Sequence, residues 1–437
     1  MNIHLLAAAF ATARFGAEHG NPVESNPTAL YYNPGAIGFS EGTHLYGDVS
    51  VAARRVTWHH QKSGRDVAEP AGAEGGNYGK ATLFNVFAGP ALGATTKIGN
   101  LAVGAGLFVP FGGRARWDKN DKFGGSAFPA AVDGVQRWHG INGALTFLYL
   151  TAGAAYKLGP LSIGVSGNFI VSSVQSSQAK TIAFGDNDMT QEIRSEIDVK
   201  GKHGSFGVGA LFEAIEKKLW LGASYQSQPA LGEMKLRGTL TASDATGART
   251  DAIDLYQSLP EIIRFGARFR PMEDVELRLF GDVTRWSRMV TQCIALEGQT
   301  CGVKRDGSPG PGTGTVANLY RGWSDTFGIR AGASKWLSPT TEVFVGAGFE
   351  TAATTDATID PNLFDAKTIS GALGGRFEVA SKLWVAATYT HLQYLSRTVT
   401  TSILDDPNVH PTTKRVNGNG TYSSFVGILN LNVEKQF

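Results

Sequence analysis

The chain has 437 residues, 55 of them glycine, and a formal net charge of +2. So even a charge balance argues against a nucleic-acid partner, and no apolar run reaches the ~18 residues of a membrane-crossing helix. A mean hydropathy of −0.10 leaves a membrane barrel open, because only alternate residues of a spanning strand face lipid.

Residues 5–11 are apolar and Ala11-Thr12-Ala13 resembles a cleavage site, yet no Lys or Arg precedes them, as an export leader would require. Two Asn-Pro steps follow, Asn26-Pro27 and Asn33-Pro34. Each proline lacks a donor and pushes its predecessor out of the helical region, so a stretch cornered at both ends forms neither a long strand nor a long helix. Residues 1–41 therefore read as an irregular segment enclosed by residues 42–437, where strand patterns begin.

Candidate strands lie at 42–58, 84–98, 100–114, 143–158, 160–180, 200–215, 218–237, 260–271, 274–290, 323–337, 341–355, 367–380, 382–400 and 420–437. That is about 14, an even number, as single-chain bacterial barrels have. The connections alternate strictly. One set is tight: Gly99-Asn100, Gly159-Pro160, Glu216-Lys217, Met272-Glu273, Ser338-Pro339-Thr340 and Ala380-Ser381. The other set is long, around 59–83, 115–142, 181–199, 238–259, 291–322, 356–366 and 401–419. Short turns at one end and long loops at the other are the pattern of a transmembrane β-barrel, and no four-strand repeat points to a propeller.

The faces agree. Ile263, Phe265, Ala267 and Phe269 alternate with Arg264, Arg268 and Arg270. Val275, Leu277, Leu279 and Val283 alternate with Glu276, Arg278, Asp282 and Thr284. Phe327, Ile329 and Ala331 alternate with Thr326 and Arg330. Period two puts each apolar set toward lipid, because a charge at the bilayer midplane costs ~2–4 kcal/mol. The last strand repeats the pattern, with Phe425, Leu429, Leu431, Val433 and Phe437 on one parity. Parity also places Trp220, Trp336 and Trp384 inward, against the interfacial girdle that tryptophans favour. Either the rim is bulged or these rings floor the barrel.

The run Ala29-Leu30-Tyr31-Tyr32-Asn33-Pro34-Gly35 resembles the Asn-Pro-Ala hatch motif of the FadL family, outer-membrane transporters of long-chain fatty acids with relatives for aromatic hydrocarbons. Further matches follow in order: Val109-Pro110-Phe111-Gly112, Leu259-Pro260-Glu261, Thr284-Arg285-Trp286-Ser287, Trp323-Ser324-Asp325-Thr326 and Tyr389-Thr390-His391. The resemblance covers nearly the whole chain, with two departures: a short segment before the motif, and Gly35 in place of Ala. It implies an all-β fold, a transmembrane antiparallel barrel with an N-terminal plug in its lumen. The plug would be marked by Asn26, Pro27, Asn33, Pro34 and Gly35. It also implies passive uptake: loops capture the ligand, it passes to a pocket beside the N-terminus near Phe10 and Phe15, and it leaves sideways once the plug moves. The expected partners are a hydrophobic small molecule, most simply a fatty acid, and outer-membrane lipid. The expected form is a monomer in the bacterial outer membrane, with no cofactor, no metal and no enzyme activity. The rival readings are an aqueous porin, an aromatic-hydrocarbon channel and a loop-borne adhesin.

Four features are candidates for function. Phe111, Trp117, Phe123 and Phe128 gather near the second long loop, where exposed apolar side chains would form a capture patch; the alternative is a loop folded on itself. Arg264, Arg268, Arg278 and Arg330 face the lumen, either paired with Glu276 or Asp282 or meeting a ligand carboxylate. Pro110, Phe111, Gly112 and Gly113 mark a strand that either ends at the rim or kinks to open the wall. Cys293 and Cys301 lie close in an exported chain, which predicts a disulfide; the alternative is two free thiols. His59 and His60 are expected to be solvated in the first loop, and no nucleophile accompanies His391.

Overall fold

A computed structural model describes residues 21–181, 187–244, 246–302, 314–406 and 415–437. Phe10 and Phe15 lie outside them, as does the apparent cleavage site.

Fourteen strands close into a barrel: β1 (Thr43–His60), β2 (Gly79–Ile98), β3 (Leu101–Arg116), β4 (Asn142–Leu158), β5 (Leu161–Thr181), β6 (Glu192–Ile215), β7 (Leu219–Gln226), β10 (Ile262–Met272), β11 (Val275–Thr284), β14 (Thr326–Ser338), β15 (Thr341–Glu350), β16 (Thr368–Ala380), β17 (Leu383–Val399) and β18 (Gly420–Gln436). Each pairs with its neighbour antiparallel. The seam is β1 on β18, running from His44 opposite Gln436 to His60 opposite Gly420. Closure removes the edges that lipid could not satisfy. The tight turns need a left-handed residue, supplied by Gly99 (φ 61°) and Gly159 (φ 58°), and elsewhere by Lys217 and Lys382.

Four further strands occupy stretches expected to be loop, 238–259 and 291–322, apart from residues 233–237, which fall at the end of the seventh candidate strand. β8 (Glu233–Asp244) and β9 (Gly247–Ser258) form a hairpin, and β12 (Thr291–Leu296) pairs with both β9 and β13 (Thr315–Tyr320). β8 also joins the long-loop end of β6, so the wall continues upward as a ribbon. The seventh strand consequently stops at Gln226 rather than near 237, and Pro229 sits in a 3-10 turn beyond it. Met234, Leu236, Ile253 and Leu255 are fully buried on one face of the ribbon.

The apolar outer faces stand as read: Phe265, Leu279, Phe327 and Leu431 are exposed where lipid would lie. Trp220, Trp336 and Trp384 point inward, each under a guanidinium: Arg268 at 4.2 Å, Arg270 at 5.1 Å and Arg376 at 4.3 Å from the ring centres. Register shifts at Glu213/Ile215, Trp336/Ser338 and Glu378/Ala380 flank the same turns. The rim is bulged, and the rings are inward as well.

Residues 21–40 lie against the inner wall. A one-turn helix, α1 (Ala29–Tyr32), leads into a 3-10 helix, Pro34–Phe39, and nearly all of the segment is buried. The wall opposite is built of glycine. Leu30 methyls enter the space over Gly104 and Gly153, Pro27 covers Gly93, Pro34 covers Gly164, and Pro22 covers Gly222 and Gly266. Gly35 itself lies on β6, where an added Cβ would come 2.5 Å from the Gly209 carbonyl oxygen. This close approach accounts for glycine where the family motif has alanine.

Candidate functional site

Asn33 holds this segment in place. Its side chain is fully buried; Nδ2 donates to the Pro22 carbonyl at 2.6 Å and the Ala210 carbonyl at 2.9 Å, while Oδ1 accepts from the Gly35 amide at 3.1 Å. It thus caps the 3-10 helix and stitches it to β6. Asn26 turns the chain one step earlier, accepting from the Thr28 amide and hydroxyl.

Three of the four luminal arginines are committed to carboxylates. Arg278 binds Glu276 at 2.5 Å and Glu24 at 3.0 Å, Arg268 lies 3.6 Å from Glu24, and Arg330 binds both Asp282 and Glu350. Glu24, a buried acid within the N-terminal segment, was not foreseen; a carboxylate between Pro22 and Pro27, in a stretch read as enclosed, was its signal. Arg264 differs. It is 5% exposed, forms no ion pair among the described residues, and both Nη atoms are buried without a hydrogen-bond partner. Its guanidinium lies 5.1 and 5.2 Å from the ring centres of Tyr31 and Tyr32.

Arg264 lines a cavity of about 40 Å³ with Tyr31, Tyr32, Phe111, Phe280 and Trp286. A second cavity, of about 20 Å³, lies on the other side of the tyrosine pair, against Pro90, Phe108 and Pro110. Both are an order of magnitude below the ~300–1,000 Å³ of sites that enclose organic ligands. The tyrosines therefore divide a space that is closed in this conformation.

Beyond the second cavity the wall is interrupted. The β2–β3 ladder runs from Ile98 opposite Leu101 to Leu92 opposite Leu107 and stops. Pairing resumes only at the long-loop end, where Asn85 exchanges two side-chain bonds with the Arg116 backbone and Leu83 bridges Trp117. Between these points β2 stays on β1 and β3 stays on β4, with one extra β3 residue between Phe108 and Phe111. Extending the lower register sets Pro90 opposite Val109 and Gly89 opposite Pro110. Both strands thus present a residue without an N–H donor, at adjacent levels of the wall. Pro110 was legible; Pro90, inside the second candidate strand, was overlooked although the same rule picks it out. Gly112 and Gly113 pair regularly with Thr146 and Leu145, so the irregularity ends before them.

The capture patch requires correction. Phe111 is luminal, 6.3 Å from Trp286 ring to ring. Trp117 is buried and donates to Asn362, Phe123 is fully buried with Ala131 and Trp138, and Phe128 is half-buried against that group. These aromatics hold the loops together instead of facing solvent. His60 also departs from expectation: it is buried at the end of β1, contacting the Asn77 carbonyl and Asn417, because its strand parity faces inward. Cys293 and Cys301 are disulfide-bonded on the ribbon.

The sequence profile of the family described as "Outer membrane protein transport protein (OMPP1/FadL/TodX)" matches residues 7–437. This chain belongs to that family. Solved structures agree at the level of fold. A Pseudomonas aeruginosa FadL homologue has a TM-score of 0.76 at 16% identity, over 98% of each chain. The P. putida toluene transporter TodX has 0.65 at 14%, over 97% of this chain and 95% of that one. The Ralstonia pickettii toluene transporter TbuX has 0.61 at 14%, over 95% and 98%. No curated protein matches the chain. As a FadL/TodX-family member the protein is an integral outer-membrane β-barrel that transports hydrophobic compounds, in a family of channels and not of enzymes.

Proposed function

We propose that the protein carries long-chain fatty acids passively across the outer membrane. Residues 1–41 act as its plug, residues 42–437 as its barrel, and the interrupted β2–β3 wall as the lateral exit. The observation that carries the ligand assignment is Arg264, a buried guanidinium with free donors in an aromatic-lined cavity whose two carboxylates, Asp282 and Glu350, are both held by Arg330. A hydrocarbon offers such a group nothing, whereas a carboxylate satisfies it with two charge-assisted bonds. The closed cavities on each side of Tyr31 and Tyr32 support a mechanism in which the plug shifts to join them. Ligand then reaches the Pro90–Pro110 window and passes into the bilayer without crossing water. A narrow lumen blocked by buried side chains disfavours an aqueous porin.

Dodecanoate, dodecanol and toluene binding to the parent and to Arg264→Gln tests the assignment. A charge-assisted hydrogen bond contributes ~1.5–3 kcal/mol, so dodecanoate affinity should fall roughly 10- to 150-fold while dodecanol changes little. Equal dodecanoate affinity in the two proteins removes the fatty-acid reading. Toluene binding above dodecanoate in both then favours the aromatic-hydrocarbon alternative.

A further inference from the structure

The lipid-facing side of the wall, outside the lumen, carries a charge imbalance of its own. On β4, β5 and β6 the outer face is apolar up to one level, where Leu150, Phe169, Val171 and Phe206 are exposed. Toward the long loops the same outward parity turns polar. It presents Arg114 and Arg116 on β3, Asn142 on β4, Gln175 on β5, and Asp198, Lys200 and Lys202 on β6. Lys202 lies opposite Val171 and Lys200 opposite Ser173, so the lysines stand on the edge of the apolar band. One level higher, Arg114, Ala144, Gln175 and Asp198 form a row across four strands. That row lines an open groove of about 670 Å³ in the outer wall, together with Asn142 and Thr239.

Arg114, Arg116, Lys200 and Lys202 are exposed, and none makes an ion pair or a side-chain hydrogen bond among the described residues. Their neighbours are matched. Asp254 takes Lys235 at 2.7 Å and Arg237 at 3.2 Å, and Glu196 takes Arg194 at 3.0 Å. At the same end of the barrel's other strands, Arg285, Arg288 and Arg397 meet carboxylates at 2.7, 2.8 and 2.6 Å. Asp198, the acid of the groove outside an ion pair, accepts from Gln175 at 3.0 Å. Four unmatched cations therefore flank the groove as two pairs, one on β3 and one on β6. Three strand spacings separate them, about 14 Å.

The level of the groove defines its occupant. The long loops of an outer-membrane barrel are external, so cations just above the apolar band lie among the head groups of the outer leaflet. An occupant that covers the groove and continues down Leu150, Phe169 and Val171 is a lipid. Its head group is anionic, and guanidinium matches phosphate with paired, charge-assisted bonds. One phosphate cannot reach both pairs of cations. Between them the groove offers amide and hydroxyl side chains, which suit sugar hydroxyls. We propose that the outer wall of β3–β6 binds a glycolipid of the outer leaflet whose head group carries two phosphates, one on Arg114 and Arg116 and the other on Lys200 and Lys202. The site is separate from the lumen and does not depend on which compound is transported.

Full-length protein in dodecyl maltoside micelles is titrated with diphosphoryl and with monophosphoryl lipid A, and bound lipid is read by native mass spectrometry. The four side chains are exposed, so the variants should fold, as heat-modifiable gel mobility and parental dodecanoate binding will show. The parent should hold one diphosphoryl lipid A at least tenfold more tightly than the monophosphoryl form. Arg114→Gln with Arg116→Gln, and Lys200→Gln with Lys202→Gln, should each weaken diphosphoryl lipid A roughly 30-fold and erase that preference. Lys218→Gln with Lys335→Gln removes the same charge at the turn end, where both side chains are exposed, and should bind as the parent does. Equal affinity of the parent for the two lipids overturns the two-phosphate site. Unchanged affinity in either groove variant overturns the assignment of its pair. An equal loss in the turn-end variant reduces the effect to diffuse attraction and overturns the site. Displacement of the lipid by inorganic phosphate at comparable concentration makes this a site for small anions and also overturns it. Each of these failures leaves dodecanoate binding, and with it the transport reading, untouched.

Discussion

Replacing Asn33 with Ala should loosen the N-terminal segment without disturbing the barrel. The side chain makes three hydrogen bonds in a dry interior: two donated to the carbonyls of Pro22 and Ala210, one accepted from Gly35. Losing a helix cap costs about 1 kcal/mol, and a buried carbonyl left unsatisfied costs ~1–3 kcal/mol. The Ala210 carbonyl lies on a ladder strand and is in part answered there, so the sum is discounted to roughly 2–4 kcal/mol. That amounts to roughly a 30- to 700-fold shift toward the undocked segment. Hydrogen exchange read on peptides from residues 26–40 should accelerate by a comparable factor, with strand peptides unchanged. Asn33→Asp should be worse, because a carboxylate facing two carbonyl oxygens adds repulsion. Unchanged protection of residues 26–40 in Asn33→Ala would refute the view that this side chain docks the segment.

Three further outcomes follow from the same structure. A disulfide between Pro90→Cys and Val109→Cys, shown to have formed, should abolish dodecanoate uptake while leaving binding intact, and reduction should restore it; full uptake with the tether in place rules out exit through this window. Converting Cys293 and Cys301 to Ser should cost at most ~2–3 kcal/mol locally, since the loop closed is short, and iodoacetamide should label the parent only after reduction; labelling of both thiols in unreduced folded protein sinks that expectation. His139 is held to about 3 by burial, with Arg415 adding to the effect and Asp360 opposing it. Because its folded value lies below the usual 6.5, the unfolded chain binds the extra proton between those limits and stability falls as pH drops through that window. The melting temperature should therefore decline from pH 6 to pH 4, less steeply in His139→Gln, and equal slopes would show that this histidine is not responsible.

What the sequence made legible was whatever period two controls. The alternation on the strand with Arg264 and Phe265, and on the strand with Arg278 and Leu279, placed every one of those side chains on its correct face, because lipid on one side leaves no compromise. The ribbon was missed for two reasons: the alternation of Met234 and Leu236 with Lys235 and Arg237 reads as the end of the seventh strand, and the mostly polar run that follows, residues 238–252, looks like loop. Tertiary context decided the rest. Whether Trp117 and Phe123 meet water depends on Asn362, Ala131 and Trp138, residues far apart in the chain or on other turns, and no local pattern encodes their arrival. Likewise four luminal arginines look alike in sequence. Only the placement of Glu24, Glu276, Asp282 and Glu350 separates Arg264 from the others.

The seam between β1 and β18 joins the strand that follows the enclosed segment to the last strand of the chain. Residues 21–40 are seated on glycines of β2, β3, β4, β5, β6, β7 and β10, strands that are neighbours around the wall. No single strand offers the seat: it comes into being only when these seven lie side by side, and the β1–β18 seam is one strand away from its edge. Docking of the segment and closing of the cylinder therefore draw on the same strand pairings.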